Sequence, residues 1–294
     1  MKIALITYSG KPAYTAANNF NEITDVLPFL QKKGLDIHAE IWDDPAVDWQ
    51  RYDVALLKTP WDYHRKFALF NQWLNKLEAL GIQLLNDYAT VRWNFDKHYL
   101  QQVAEAGLPI IPSVFMNRGW AGQLETVFGQ LGCDKIILKP CISGGSNNTF
   151  VINKNYTSQQ YEEIAKLATT VDLVAQPFLE EIKQGEWSFI FFNGVYSHTI
   201  LKKPKAGDFR VQQAFGGTIE AVTPNPQLIA QAGQYVTQFG QNTLYARVDG
   251  VMVDGTFKLM ELELIEPFLY LSYGEGAKER YYEAIVGRLG TIVC

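Results

Sequence analysis

Acidic residues interrupt two strongly apolar, strand-like runs near the C-terminus of this 294-residue sequence, at Asp249 and at Glu261 and Glu263. Because residues at positions i and i+2 of a strand point to one face, Glu261 and Glu263 project side by side. An unpaired carboxylate among apolar neighbours is costly, so these acids need a partner. A hairpin that brings Asp249 to the same face would create a cluster of oxygen ligands, which suits Mg2+. A solvated edge strand with alternating glutamates is the structural alternative.

The turn between the two runs decides which side chains share a face. An ordinary two-residue loop at Asp254-Gly255 would pair Val253 with Thr256. That register would place Asp249 on the face opposite Glu261, since a shift of one residue flips every side chain. The dipeptide Asp-Gly by itself favours this two-residue turn, which would divide the carboxylates between two faces.

A three-residue loop would bring the carboxylates together. With Gly255 in the left-handed conformation of a bulge, Met252 would pair with Thr256, and Arg247 would lie across from Glu261. Three carboxylates on two faces cannot share one cation. We therefore predict an odd loop length, with Gly255 at positive φ.

Length and composition predict a compact, enzyme-sized protein of two or three packed subdomains. Hydrophobic residues make up 47% of the chain, and the net charge of -5 argues against nucleic acid as a partner. No apolar run approaches the ~18 residues needed to span a membrane. Three cysteines without a CxxC spacing, together with an N-terminus that lacks a secretory segment, favour the cytoplasm.

The order of apolar and helical patterns predicts a mixed α/β and α+β protein with three parts. Strands alternate with helices over residues 1–108, which is typical of a parallel sheet. A smaller α+β module follows over residues 109–179, after the extended segment that begins at Pro109. Residues 180–294 contain the acidic hairpin and a last helix.

Two loops of the N-terminal part are candidate substrate sites. In open α/β sheets, ligands bind beyond the carboxyl ends of the strands. The segments that follow strand-like runs are Tyr8-Ser9 and Trp61-Asp62-Tyr63. These aromatic side chains are equally compatible with packing between helices and loops.

A lysine beside a glycine-rich loop suggests a phosphate site in the central module. Lys139 ends an apolar run and precedes the loop that contains Ser143, Gly144, Gly145 and Ser146. Exposed backbone N–H groups cradle phosphate oxygens, and lysine supplies a point charge. The loop lacks the GK[ST] of a P-loop, so a plain turn is the alternative.

Two further segments carry candidate ligand contacts. The buried run ending in Gln176-Pro177-Phe178-Leu179 delivers Glu180 at its exit, as expected of a hinge that reads a purine through main-chain groups, although an ordinary turn fits equally. Arg210 lies in a loop between Gly207 and Val211, where a guanidinium could clamp a carboxylate or a phosphoryl group. A solvated arginine is the alternative.

Together these elements resemble the ATP-grasp superfamily over most of the chain. Lys97, in Asn94-Phe-Asp-Lys97, and Lys139 resemble its two nucleotide lysines. The resemblance implies that residues 143–148 form a lid over the phosphates and that residues 176–179 form an adenine hinge with Glu180 or Glu181 near it. Glu186 is a further candidate contact to the nucleotide. It also implies an N-terminal Rossmann-like domain, a central subdomain, and a C-terminal antiparallel sheet, with ATP in the cleft between the last two.

The same resemblance implies roles for the acidic hairpin. Asp249 and Glu261 resemble the metal-binding acids of the superfamily, whereas Glu263 stands where an asparagine is commoner. Arg210 and Arg247 resemble arginines that stabilise the transferring group. The motifs Trp61-Asp62-Tyr63 and Gly207–Arg210 are most similar to the group that contains the O-ureido-serine cyclo-ligase of cycloserine biosynthesis and glutathione-synthetase-like proteins.

The activity that this resemblance implies is ligation through an acyl-phosphate. The expected cofactors are ATP and one or two Mg2+ ions, with Mn2+ as a substitute, and the expected substrates are a small carboxylate and an amine-type acceptor. A homodimer is a further expectation. A small-molecule kinase and a nucleotide-binding protein without turnover are the alternatives.

Overall fold

The computed structural model describes residues 1–10, 22–145, 148–211 and 215–292, which form three β-sheets and eight α-helices. The first sheet is parallel and its central strands are buried, as expected when helices cover both faces. In chain order its strands are β1 (Lys2–Thr7), β2 (Asp36–Ile41), β3 (Val54–Leu57) and β4 (Gln83–Leu85), and their spatial order is β2-β1-β3-β4.

Four helices accompany this sheet or connect it to the next part of the chain. The first is continuous in spite of Pro28, and the third begins where the Asp87 side chain accepts a hydrogen bond from the Thr90 amide at 2.7 Å. Lys97 lies in the connection between the third and fourth helices. These helices are α1 (Glu22–Lys32), α2 (Phe67–Ala79), α3 (Tyr88–Asn94) and α4 (Tyr99–Glu105).

The second sheet is antiparallel and has the spatial order β5-β8-β6-β7. One helix of this part ends at Gly132, which adopts the left-handed conformation with φ 63°. The elements are β5 (Val114–Met116), α5 (Leu124–Leu131), β6 (Lys135–Pro140), β7 (Phe150–Asn153), α6 (Ser158–Ala168) and β8 (Leu173–Pro177).

The third sheet is also antiparallel, with the spatial order β11-β10-β9-β12-β13. The last helix follows this sheet in the chain. The elements are β9 (Glu186–Phe192), β10 (Val195–Lys203), β11 (Thr218–Val222), α7 (Pro226–Phe239), β12 (Tyr245–Val253), β13 (Thr256–Glu263) and α8 (Ala277–Ile292).

The predicted three-residue loop between β12 and β13 is wrong. Val253 pairs with Thr256, and both residues of the two-residue turn have positive φ, 50° at Asp254 and 74° at Gly255. This conformation is the turn that Asp-Gly favours, because it matches the twist of the paired strands. The predicted positive φ at Gly255 is confirmed.

A β-bulge restores the shared face that the turn alone would lose. The pairing shifts between Gly250, which lies opposite Leu259, and Asp249, which lies opposite Glu261, so that Met260 is an extra residue in β13. Arg247 consequently pairs with Glu263. The three-residue loop would have paired it with Glu261. The prediction that Arg247, Asp249, Glu261 and Glu263 share one face is confirmed, and the predicted pairing of residues along the hairpin is wrong.

The edge strand β13 is held by groups outside the sheet. Asn94 donates to the carbonyl of Leu262 at 2.8 Å and accepts from the Leu264 amide at 2.9 Å. The hydroxyl of Tyr99 accepts from the Leu262 amide at 2.8 Å. These contacts satisfy the unpaired backbone groups of an edge strand and set the positions of Glu261 and Glu263.

The hydrophobic cores divide the molecule unevenly. One core joins the first sheet to the third sheet and to α8, with Ile3 and Leu56 packed in the same cluster as Ile190 and Tyr281. The second sheet has a core of its own, whose fully buried members all lie between Met116 and Ala175. The predicted boundaries after residues 108 and 179 stay predictions. In the described residues no helix is long and apolar enough to cross a membrane.

Candidate active site

A single cleft of about 900 Å³ lies where the three sheets meet. It brings together most of the residues that the sequence singled out, although they come from distant parts of the chain. Those that line it are Tyr8, Trp61, Asp62, Tyr63, Lys97, Lys139, Ser143, Gly144, Gly145, Gln176, Pro177, Phe178, Leu179, Glu186, Arg210, Arg247, Asp249, Glu261 and Glu263.

Two predicted contacts fall outside the cleft lining. Ser9 is not among the lining residues, although its neighbour Tyr8 is. The Glu180 carboxylate is 60% exposed and pairs with Lys183 and Lys135. Glu186, farther along the chain, lines the cleft. Ser146 lies outside the described residues.

Asp249 is held by three side chains on the shared face. Arg247 donates to both of its carboxylate oxygens, with Nη2 2.8 Å from Oδ2, and Ser188 donates to Oδ1 at 2.5 Å. Burial raises the pKa of Asp249, but Arg247 and Lys202 outweigh this effect, so the pKa lies below its ordinary value. Asp249 is therefore a carboxylate with a fixed orientation.

Lys202 is a functional candidate that sequence reasoning missed. Its side chain is buried, pairs with Glu186, and lies 3.4 Å from Oδ2 of Asp249. The Asn193-Gly194 turn indicates that the Phe-rich β9 pairs with β10. A register shift at Ser197 then sets Lys202, rather than Leu201, opposite Glu186, and no local pattern signals this shift. The ion pair with Lys202 explains how Glu186 is accommodated in the interior beside Asp249.

Glu261 lies between the two predicted nucleotide lysines. Its Oε1 is 3.1 Å from Nζ of Lys97 and 3.4 Å from Nζ of Lys139. Burial raises the pKa of Glu261, but Lys139 and then Lys97 lower it well below the ordinary value. In this arrangement the carboxylate occupies the position between two cations that an anionic phosphate could also take.

Glu263 has a different environment on the same strand. It pairs with Arg247, yet burial raises its pKa to about 7 in spite of that arginine, and the neighbouring Asp249 and Glu261 add to the rise. A carboxylate that is costly to ionise beside two others is stabilised by additional positive charge. The donor set of Asp249, Glu261 and Glu263, all carboxylates on one face, therefore fits a hard cation such as Mg2+.

The loop after Lys139 contacts the other predicted nucleotide lysine. Nζ of Lys97 donates to the Ser143 carbonyl at 3.2 Å, and the Ser143 hydroxyl donates to the Pro140 carbonyl at 2.9 Å. Gly144 lies so close to His64 that an added Cβ would be 3.2 Å from its Nδ1. The beginning of the loop thus rests against both the Lys97 connection and the N-terminal part.

Cys141, which precedes this loop, is buried, and burial raises the pKa of its thiol. It belongs with Asp96 and His98 to a small cluster, where His98 already pairs with Asp96 at 2.6 Å. A buried thiol with a raised pKa is a poor nucleophile. The environment of Cys141 is therefore that of a structural cysteine.

The exit of β8 forms one side of an apolar slot. Gln176 is held by a 2.9 Å hydrogen bond to Ser113, and the ammonium of Lys135 lies 3.4 Å from the centre of the Phe178 ring. Leu179 and the bulge residue Met260 belong to one hydrophobic cluster that lines the cleft. This side of the cleft is therefore largely apolar.

Arg210 reaches the cleft from the loop before β11. Its guanidinium is held by Asp208, with Nη2 2.8 Å from Oδ2, and lies 3.7 Å from the centre of the Phe215 ring. These contacts hold the pKa of Asp208 well below its usual range, with the hydrogen bond from Arg210 as the main cause. Because about a third of the Arg210 side chain is exposed, it can still reach a ligand.

The predicted substrate residues of the N-terminal loops have different environments. Tyr63 is 5% exposed and packs against Phe70 and Phe95, so it belongs mainly to the core. Asp62 accepts from Trp42 at 2.8 Å and pairs with a lysine one turn later, which is a packing role. Trp61 lies at the cleft, where its indole N–H donates to the Glu266 carbonyl at 3.1 Å.

Comparison with known proteins agrees with this geometry. Residues 3–86 match the family described as the N-terminal domain of D-cycloserine synthetase DcsG, and residues 123–245 match the ATP-grasp domain of prokaryotic glutathione synthetase. The cycloserine biosynthesis protein DcsG of Streptomyces lavendulae is 27% identical over 281 residues, which cover 90% of this chain and 94% of that protein.

Solved structures share the fold along nearly the whole chain. The crystal structure of D-cycloserine synthetase DcsG superposes with a TM-score of 0.85 at 24% identity, covering 98% of this chain and 100% of that one. D-alanine–D-alanine ligase from Bacillus anthracis superposes with a TM-score of 0.69 at 15% identity, covering 98% and 96%. Residues 123–245 therefore match an ATP-grasp domain, and the chain has the ATP-grasp fold along nearly its whole length.

Proposed function

We propose that this ATP-grasp ligase activates a carboxylate of a small, amino-acid-like substrate as an acyl-phosphate and passes the acyl group to an amine or a related nucleophile. One arrangement supports the proposal above all: Glu261 lies between Lys97 and Lys139 on the face that also carries Asp249 and Glu263. Cations suited to phosphate and acids suited to a metal therefore meet in one cleft.

The nucleotide is assigned to the side of the cleft formed by the second sheet. The purine would enter the slot between Leu179 and Met260, where backbone groups at the exit of β8 can read its edge. The phosphates would extend toward Lys97 and Lys139, under the loop that begins at Ser143. On this assignment the two lysines exchange part of their contact with Glu261 for contact with phosphate oxygens.

Asp249, Glu261 and Glu263 are the residues that would hold Mg2+. A bound ion supplies positive charge that neutralises the phosphate oxygens and the charge that develops during transfer. One or two ions are compatible with three carboxylates, and Mn2+ is a substitute with the same preference for oxygen. The additional charge of Glu263, relative to an asparagine, favours the fuller occupancy.

Two arginines have separate tasks in this scheme. Arg247 fixes the orientations of Asp249 and Glu263 through its hydrogen bonds. Arg210 stabilises the transferring group from the opposite loop.

The proposed reaction has two steps. The substrate carboxylate oxygen first forms a bond to the γ-phosphorus while ADP leaves. The C–N bond then forms as the bond from carbon to phosphate oxygen breaks, so no protein nucleophile is required.

The principal rival is a small-molecule kinase on the same fold, which would release a phosphorylated product and need no acceptor. A nucleotide-binding protein without turnover is a further alternative, which the complete set of acids, lysines and arginine does not favour. The relatives named for D-cycloserine and glutathione synthesis suggest that the acceptor amine is either part of the activated molecule or a second substrate.

The test is ADP release with Mg2+ across a panel of amino acids, hydroxy amino acids and ureido amino acids, each with and without hydroxylamine, followed by mass spectrometry. A ligase gives stoichiometric ADP, free phosphate and a condensed or cyclised product, and hydroxylamine traps the acyl-phosphate as a hydroxamate. A stable phosphorylated product would support the kinase, and no ADP with any compound would contradict both. Sedimentation at several protein concentrations would test the predicted homodimer.

A further inference from the structure

The charges that line the cleft leave one carboxylate without a counterion. Among the described residues, the other cleft-face acids are paired with cations, as set out above for Asp249, Glu186, Glu261 and Glu263. Glu266 lines the same cleft, but no described lysine, arginine or histidine lies within 4.0 Å of its carboxylate, and no described group donates a hydrogen bond to it. Such a group calls for a positive partner from outside the protein.

Aromatic rings line the same cleft as Glu266. Five of them form a continuous aromatic row, in which successive ring centres lie 6.1, 6.2, 4.8 and 5.9 Å apart. The row consists of Tyr8, Trp61, Phe268, Tyr270 and Tyr273, all of which line the cleft.

The aromatic row already accommodates one cation. The guanidinium carbon of Arg247 lies 5.6 Å from the centre of the Tyr270 ring. Ring faces attract cations through their quadrupole, and the attraction grows where water is excluded. A cleft that carries both an unpaired carboxylate and several aromatic rings is therefore suited to a small organic cation rather than to an anion or an apolar group.

We propose that Glu266 and the aromatic row form a subsite for an ammonium group of the substrate. The inference rests on the proposed function for its place in the reaction and deepens it by naming the substrate class, a small molecule that carries a primary ammonium. Glu266 accepts the N–H donors of that group, and the rings enclose its remaining faces.

The position of the subsite agrees with this role. Glu266 follows Glu263 by three residues, so the ammonium would lie beside the reaction centre, toward Tyr8 and Trp61 at the carboxyl ends of β1 and β3. The indole N–H of Trp61, a member of the row, donates to the backbone carbonyl of Glu266 at 3.1 Å, which ties Glu266 to the aromatic row. Burial raises the pKa of Glu266, with Glu263 as a further cause, as expected of an acid that lacks its countercharge.

The experiment compares propylammonium with its uncharged isostere propanol as probes of the full chain. Saturation-transfer NMR and quenching of tryptophan fluorescence measure their binding to the wild-type protein, Glu266→Gln, Glu266→Asp and Glu275→Gln. The last is a matched control, since it makes the same change at an exposed glutamate outside the cleft. Binding of ATP with Mg2+ is measured separately by calorimetry.

We expect the wild-type protein to bind propylammonium in preference to propanol, and Glu266→Gln to bind it about ten-fold or more weakly, as for loss of a charged hydrogen bond. Glu266→Asp should recover part of the affinity and Glu275→Gln all of it. Equal binding of both probes by the wild type, or unchanged binding by a folded Glu266→Gln, would overturn the subsite. Failure of the wild type to bind ATP would instead overturn the proposed function.

Discussion

Asp249 lies directly opposite Glu261 across the β12–β13 pair, beyond the two-residue turn at Asp254-Gly255. An unbroken ladder from that turn would set Met260 opposite Asp249. The bulge at Met260 changes the parity between the turn and the acids. As a result Met260 and Glu261 both line the cleft, one against the apolar slot and one against the lysines.

Replacing Lys139 should weaken ATP binding. Its ammonium faces Glu261 at 3.4 Å, at the position assigned to phosphate, and loss of one charge-assisted contact costs about 1.5 to 3 kcal/mol, or roughly ten-fold or more in affinity. Calorimetry with ATP and Mg2+ measures the effect in Lys139→Ala. The matched control is Lys154→Ala, an exposed lysine of the same sheet whose loss should change nothing. Equal affinities of Lys139→Ala and wild type would remove Lys139 from the nucleotide site.

Met260 offers a way to separate purine binding from phosphate binding. Truncation in Met260→Ala removes apolar surface from the slot and should weaken ATP by about 1 kcal/mol, roughly five-fold. Affinity for tripolyphosphate with Mg2+, which lacks the purine, should stay the same. Lys139→Ala should weaken both ligands. If Met260→Ala weakened tripolyphosphate as much as ATP, the slot would not be the purine site.

Arg210 should act on turnover rather than on nucleotide affinity. Arg210→Ala is expected to leave ATP binding nearly unchanged and to lower kcat about 100-fold, as for a group that meets transition-state charge. Steady-state ADP release and calorimetry give the two constants. Arg51→Ala serves as a control at an exposed arginine. Normal turnover with weakened ATP binding would move Arg210 to the nucleotide site.

Lys202 and Lys203 are adjacent on β10 and differ in environment, which makes them a natural pair for measuring stability. Lys202→Ala leaves Glu186 and Asp249 buried with one cation fewer and should lower the free energy of unfolding by about 3–5 kcal/mol. Lys203→Ala removes an exposed pair with Glu220 and should cost at most about 1 kcal/mol. Urea unfolding of both variants tests the difference. Similar losses would show that the buried network contributes no more than a surface pair.

His198 should make stability depend on pH. Burial lowers its pKa to about 4, and Arg280 adds to the effect, while Nε2 donates to the Leu269 carbonyl at 2.9 Å. The unfolded chain binds a proton near pH 6.5, which the folded protein does not do until about pH 4. Stability that is present above pH 6.5 is therefore lost as the pH falls toward 4.

The corresponding variant is His198→Gln, whose amide can still donate to that carbonyl and does not titrate. Between pH 7 and pH 4.5 the wild type should lose about 2–3 kcal/mol more than His198→Gln does. Urea unfolding at both pH values measures the two losses. Parallel losses would mean that His198 is protonated equally easily in the folded and unfolded states.

Local chemistry explains how far the sequence could predict the site. Lys139, Asp249 and Glu261 stand at a strand end or in apolar runs where charge has few other uses, so their meeting in the cleft could be expected. Lys97 lies between two helices and was indicated only by the family resemblance. The bulge could not, because Met260 carries no signal for an extra residue and its placement depends on pairing along the whole hairpin.

The remaining residues depend on long-range contacts. Lys202 faces the cleft only because β10 lies beside β9, and β9 beside β12. Asn94 binds the edge of β13 from 168 residues away in sequence, a contact that no local pattern contains. Glu180 pairs with two lysines at the surface and does not line the cleft, so its predicted contact with the nucleotide stays a prediction.

The separate core of the second sheet divides the molecule into two packed parts with the cleft between them. The first and third sheets and α8 share one apolar interior, which ties the two ends of the chain into a single body. The second sheet and its helices pack mainly against one another and carry Lys139, whereas Glu261 belongs to the other part. The 3.4 Å contact between Lys139 and Glu261 links the two parts directly. A phosphate that enters between these two charges would replace this link with contacts to its own oxygens.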